Sequence, residues 1–394
     1  MIRWLRVVLP PWWAVILAGF LYTLFQSALL GLEWYFDLPL FGLMDTEKEV
    51  PALVMGQFAF GYAVYRVWAF HPALRPGYFQ WLCGTPWSSV KPLPLGPLHL
   101  VWQDVILLAL WAGLSWPRAG LQSLNVFQVF LFTYLSLLGL PHFVTGQKSW
   151  AYAVAFGVGV MALVARNPWL CFGAASVTYV AAFLGLRASL ASFPWEGTPL
   201  FSRFQRRMQQ ELKSKESAGQ NPGPNQGTLG WPFDHLGPPH LDLTGFDRRD
   251  RLLAGLLLGW WFYVFYSLAR SADSDWYGAH VCYSIFLVLG IAFRVAIYCN
   301  GYLPPLSLLG RLGHGRPIIP GYDQVFIAPL LALAVGAAVP LVPWATGLDP
   351  LIAVPSAVVL TTWILLLMGP SLQTWRLTGY HRITPGVMTT TQMR

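Results

Sequence analysis

Charge is what this sequence has least of. Asp, Glu, Lys and Arg make up 11% of its 394 residues, against about 25% in a soluble domain. With 55% of the chain hydrophobic, too few polar side chains remain to coat a soluble globule, which excludes a secreted domain, a nucleic-acid-binding module and a disordered protein. Cysteine is scarce as well. Cys83, Cys171, Cys282 and Cys299 stand far apart with no C-x-x-C pair, so neither a disulfide framework nor a thiolate zinc clip is expected.

Catalytic signatures are missing too. The chain has no G-x-x-x-x-G-K-[ST] loop, no H-E-x-x-H and no G-x-S-x-G, and no apolar run contains Glu. No acid, base and nucleophile come together, so the expectation is no enzyme activity, no catalytic residues and no cofactor. His235 and His240 with Asp234 and Asp242 have a metal-ligand composition but no ligand spacing, and no metal is expected there.

What is present is apolar length. A bilayer-spanning helix needs about 20 apolar residues, and about ten runs qualify: 12–32, 51–71, 97–116, 124–141, 148–165, 167–186, 251–270, 277–298, 323–344 and 350–370. The fold expected is therefore an all-α, polytopic membrane protein in the lipid bilayer. The runs 148–165 and 167–186 are either a tight hairpin or one re-entrant unit. Twenty Trp suit the membrane–water interface.

Basic residues set the orientation, because Lys and Arg resist translocation. With both termini cytoplasmic, Arg3, Arg6, Arg75, Lys91, Lys148, Arg311, Arg316, Arg376 and Arg382 fall inside. The outer segments hold only Lys48, Arg118, Arg166 and Arg270, and the first outer loop is acidic. The net charge of +8 then reflects topology in an inner (plasma) membrane and contact with anionic lipid, with no nucleic acid required.

The chain reads as a first membrane unit over 1–148, a linker helix pair over 149–186, a cytoplasmic loop over 187–250 and a second membrane unit over 251–394. In the loop, Phe201, Phe204, Met208 and Leu212 oppose Arg203, Arg206, Arg207 and Lys213 on an amphipathic basic helix. A Gly/Pro/Asn-rich linker follows. The two membrane units rhyme: Gly19, Phe25 and Ser27 match Gly259, Phe265 and Ser267; Tyr65-Arg66-Val67 matches Phe293-Arg294-Val295; Gln103-Asp104-Val105 matches Asp323-Gln324-Val325. These matches predict a parallel 4+4 helix repeat with an inserted pair.

Intramembrane charge is costly and marks candidate sites. Arg66 with Asp104, and Arg294 with Asp323, form two candidate ion pairs at similar depth. Each either clamps its helix hairpin, with the arginines reaching to the headgroups, or lines an inward-facing cavity. Gln57, Gln128 and His280 are the remaining polar side chains within the runs singled out.

After the second run comes Tyr78-Phe79-Gln80-Trp81-Leu82-Cys83-Gly84-Thr85-Pro86-Trp87-Ser88-Ser89. In letters and location it resembles the aromatic-x-x-Leu-x-x-x-Pro-x-Ser stretch of ABC-2-type transporter permeases. In that family this inner segment is a coupling helix that meets the ATPase subunit. The resemblance implies a docking role for Tyr78, Trp81, Leu82, Pro86 and Trp87, and by the repeat for Pro304 and Pro305. The expected function is a membrane permease or permease-like subunit driven by a separate ATPase, with room for an oligomer. The alternative is a non-transporting scaffold that docks partners through its cytoplasmic loops.

Overall fold

The computed structural model describes residues 49–89, 91–198, 248–270, 276–299, 324–339 and 349–368, with parts of 10–27, 201–209 and 312–347. Among them the fold is all helical, without strands. The chain divides into two compact units, Met1–Gly219 and Gln220–Arg394. The first holds α1 (Glu49–Phe70), α2 (Pro76–Cys83), α3 (Trp102–Ala119), α4 (Asn125–Val144), α5 (Lys148–Leu163) and α6 (Pro168–Ala191). The second holds α7 (Arg248–Arg270), α8 (Trp276–Cys299), α9 (Gln324–Ala338) and α10 (Pro350–Leu367).

Helix starts follow their local sequence. Asn167 precedes Pro168 and accepts hydrogen bonds from the amides of Trp169 and Leu170 at 3.1 and 3.3 Å. Asp349 precedes Pro350 and accepts from Leu351 at 2.9 Å. In both, proline fills a first-turn position that has no partner for an N–H, and the side chain before it satisfies amides that lack one. Asn167→Ala should cost about 1 kcal/mol. It should lower the melting temperature in detergent, while Asn167→Asp keeps it.

Four helices, Gly120–Val144, Pro168–Ala191, Arg248–Leu268 and Pro350–Leu367, are long and apolar enough to cross a membrane. Their packing inverts that of a soluble protein. On α6 the buried face is Cys171, Ala175, Thr178, Ala182, Gly185, Leu186 and Ser189, all small but Leu186, whereas Trp169, Leu170, Val177, Val180 and Leu184 point outward. Small residues inside let backbones approach, and large apolar residues outside match hydrocarbon. On α3, Val105, Ile106, Leu110 and Leu114 form an exposed apolar stripe with Trp102 and Trp116 exposed near its ends.

Runs 148–165 and 167–186 form a hairpin. A Cβ on Gly157 would lie 2.3 Å from Thr178 Oγ1, and one on Gly185 2.7 Å from Trp150 Cβ. The pairs 157–178 and 150–185 run in opposite directions, so α5 and α6 are antiparallel neighbours. Both also pack on α4, within the first unit. In the second unit α7 packs along α10, and Tyr283, Val339, Val354, Ala357 and Val358 form the core between α8, the end of α9 and α10.

Candidate functional site

The sequence-predicted charges Arg66 and Asp104 meet at one end of the first unit, where α1 and α4 finish and α3 begins. Arg66 is fully buried and Asp104 nearly so, at 0% and 1% exposure. Arg66 Nε lies 2.9 Å from Asp104 Oδ1 as a charge contact rather than an aligned hydrogen bond, and Nη2 donates to Oδ2 at 3.2 Å. The guanidinium is enclosed by protein. It also donates to the carbonyls of Pro97 and His99 at 3.2 and 3.0 Å. Asp104 accepts from Tyr62 Oη on its other oxygen and caps α3 by accepting from the Val101 amide at 2.9 Å.

Residues 97–101 are therefore not the first turn of a helix, as their apolar pattern predicts. Pro97 cannot donate, and side chains from four helices bond five of the segment's backbone groups. Arg66 of α1 holds Pro97 and His99, Tyr134 of α4 holds the Leu98 carbonyl, Tyr179 of α6 accepts from the Leu100 amide at 3.1 Å, and Asp104 of α3 holds Val101. Irregular backbone among apolar helices persists only where protein groups satisfy it. The pair thus pins a non-helical segment, with its charges and the bonded carbonyls matched by one another.

The segment 78–89 begins as the eight-residue helix α2. Tyr78 and Leu82 are buried, Trp81 and Pro86 are exposed, and Trp87 is half-buried. Tyr78 Oη accepts from Leu95 N at 3.5 Å and its ring stacks on Trp81, while Trp87 Nε1 donates to Pro92 O at 3.2 Å. This elbow rests on an aromatic bed that the sequence left unconnected. Phe79 lies 4.6 Å from Phe201 and 5.9 Å from Trp195, centroid to centroid, and Trp87 lies 5.2 Å from Phe193. Phe201, assigned by pattern to the apolar face of an amphipathic helix, is 1% exposed beneath α2.

Partial burial, and then the neighbouring Glu196 carboxylate, push the Cys83 thiol above its ordinary value. Removing that charge lowers the thiol pKa and raises the thiolate fraction. In a chain keeping Cys83 as its sole cysteine, Glu196→Gln should speed alkylation at about pH 7.5, because more of the thiol is then thiolate.

In the second unit Arg294 donates to the Met368 carbonyl at 2.6 Å, and Arg251 to the Leu366 carbonyl at 3.3 Å. Two cations thus sit at the C-terminal, partly negative end of α10. Asp323, Pro304, Pro305, His235, His240, Asp234 and Asp242 lie outside the described residues, as does the side chain of His280. Gln128 donates to Ala165 O at 3.3 Å, whereas Gln57 is exposed on α1. Among the described residues no group of three or more His, Cys, Asp or Glu is placed to hold a metal ion.

Two residues escaped the sequence reading altogether. His71 and His142 are both fully buried at the same end of the unit. Their shared signal is a proline at the close of an apolar run, His71-Pro72 and Pro141-His142. Compared with known proteins, the chain matches no family model, no curated protein and no solved structure.

Proposed function

We propose that the chain is the membrane subunit of a transporter, a permease whose energy comes from a separate ATPase that meets it at α2. The observation that carries this reading is the form of the elbow: a short helix between two apolar-faced helices, its underside seated on aromatics and its ridge of Gln80, Trp81 and Cys83 exposed. A seated, proline-flanked helix is stiff enough to pass a push from a partner into the bundle. In this reading the likeness to ABC-2-type permeases extends to α2 as the coupling helix. The chain crosses an inner membrane about ten times with both termini in the cytoplasm, and the two units are parallel copies. The exposed stripe of α3 between its tryptophans supports counting that helix as a span. In support of the repeat, α1 packs on α3 and α4 as α8 packs on α9 and α10.

A photo-crosslinker at position 81 should capture a P-loop ATPase in native membranes. Trp81→Ala should leave yield and melting temperature unchanged, because the side chain is half exposed, yet abolish that capture and ATP-dependent transport. A chain that captures no ATPase, with Trp81→Ala silent in cells, would leave the scaffold reading. One observation favours that second reading: the matched charges around Arg66 and Asp104 are built to hold a segment still.

A further inference from the structure

His71 and His142 carry an inference that stands whether or not α2 meets an ATPase. His71 caps the short 3-10 turn Pro72–Leu74 that leads into α2, and its Nδ1 accepts from the Ala73 amide at 3.1 Å. An accepting Nδ1 bears no proton, so in the neutral ring the proton is on Nε2. Near the end of α4, His142 Nε2 lies 3.2 Å from the Ala182 carbonyl of α6. A carbonyl only accepts, so Nε2 of His142 carries its proton and Nδ1 keeps a lone pair. That approach is open because residue 185 is glycine: a Cβ there would come within 2.9 Å of His142 Nε2.

The backbone has therefore chosen both tautomers, and it leaves one donor and one acceptor over. His71 Nε2 and His142 Nδ1 are buried and bonded to nothing, including each other. The Trp195 ring stacks on His71 with centroids 6.1 Å apart, and its Nε1 reaches the carbonyl of Ser189, whose hydroxyl bonds Thr145 three residues beyond His142. Polar groups nearby are engaged with one another: Trp195 Nε1 donates to Ser189 O at 2.7 Å, and Ser189 Oγ donates to Thr145 Oγ1 at 2.8 Å. A stranded buried donor or acceptor is destabilising, and proteins meet such pairs with an internal water when the two needs are complementary.

We propose that His71 and His142 form a binding site for one internal water, which accepts from His71 Nε2–H and donates to His142 Nδ1. The same tautomers disfavour a metal ion. Ligation by His71 Nε2 would move its proton to Nδ1 and set it against the Ala73 N–H. The water joins the base of the α2 elbow to the end of α4 by a link that needs no charge.

The test uses the full chain in nanodiscs, labelled with 15N-histidine. Both rings should show the neutral Nε2–H tautomer, and the His71 Hε2 proton should cross-relax with a long-lived water. His71→Phe and His142→Leu should each lower the melting temperature, and the double variant should lower it by less than the sum of the two, since neither partner of the water is left stranded by loss of the other. Adding Zn2+ should leave the melting temperature and the histidine resonances unmoved. A His71 Hε2 without water contact, an Nδ1–H tautomer at either ring, or a Zn2+ shift lost in His142→Leu would overturn the proposal. These wild-type readings decide it even where a variant does not fold.

Discussion

Arg66→Leu should abolish recovery of folded protein, with the chain lost to aggregation on size-exclusion chromatography in detergent. The substitution leaves the Asp104 carboxylate at 1% exposure without its cation and strips the carbonyls of Pro97 and His99 of their donor. Breaking a buried pair from one side costs about 3–5 kcal/mol, a large part of the total of about 5–15 kcal/mol that keeps a typical domain folded. Adding Asp104→Asn should recover part of the loss. The amide oxygen still accepts from the Val101 amide, Nδ2–H can donate to Tyr62 Oη in place of the oxygen that accepted from it, and no stranded charge remains. Arg66→Lys should fall between, because a single ammonium cannot reach an acid and two carbonyls as a planar fork does. Wild-type yield and melting temperature in Arg66→Leu, with altered transport, would instead show that the pair faces an open cavity.

What was legible in the sequence is what depends on near neighbours. The apolar runs announce helices, and Asn167-Pro168 and Asp349-Pro350 mark where two of them start. The elbow is visible because its prolines and aromatics are contiguous. What was not legible depends on residues far along the chain. Nothing local distinguishes Leu98-His99-Leu100 from a helical turn; Tyr134 and Tyr179, on two later helices, hold it in a non-helical path. Phe201 has the spacing of an amphipathic helix's apolar face, which suits lipid or a partner alike, yet Phe79 and Trp195 reach it first. Burial beneath another element and burial in lipid leave the same mark on a sequence.

The matched glycines make the same point about the repeat. Gly19 and Gly259 hold equivalent places in the two alignable stretches, but a Cβ on Gly19 would meet nothing within 4 Å, while Gly259 is pressed against α10. Equal spacing in sequence does not by itself make equal contacts.

Gly259→Leu should be the most damaging single change in the second unit. Gly255 and Gly259 form a G-x-x-x-G face on α7, the spacing that brings two membrane helices into backbone contact. A Cβ at 259 would lie 2.3 Å from Val359 Cγ2 and 3.0 Å from the Pro355 carbonyl oxygen, and one at 255 would lie 2.4 Å from Trp363 Nε1. None of these neighbours yields easily. Valine is confined almost to one rotamer in a helix, the carbonyl is backbone, and Trp363 Nε1 is held by its bond to Leu252 O at 3.0 Å. Overpacking costs about 1–3 kcal/mol in a core that can adjust. Here α7 must lift from α10, so the melting temperature should drop sharply and amide exchange should rise along both helices. Gly61→Ala and Gly173→Ala are the controls: a Cβ at either meets nothing within 4 Å, and alanine should gain up to about 1 kcal/mol of helix propensity. Gly259→Ala combined with Val359→Ala should melt higher than Gly259→Ala alone, because the second change removes the methyl that the first one strikes. If Gly259→Leu melts like the wild type, α7 and α10 do not meet at these glycines.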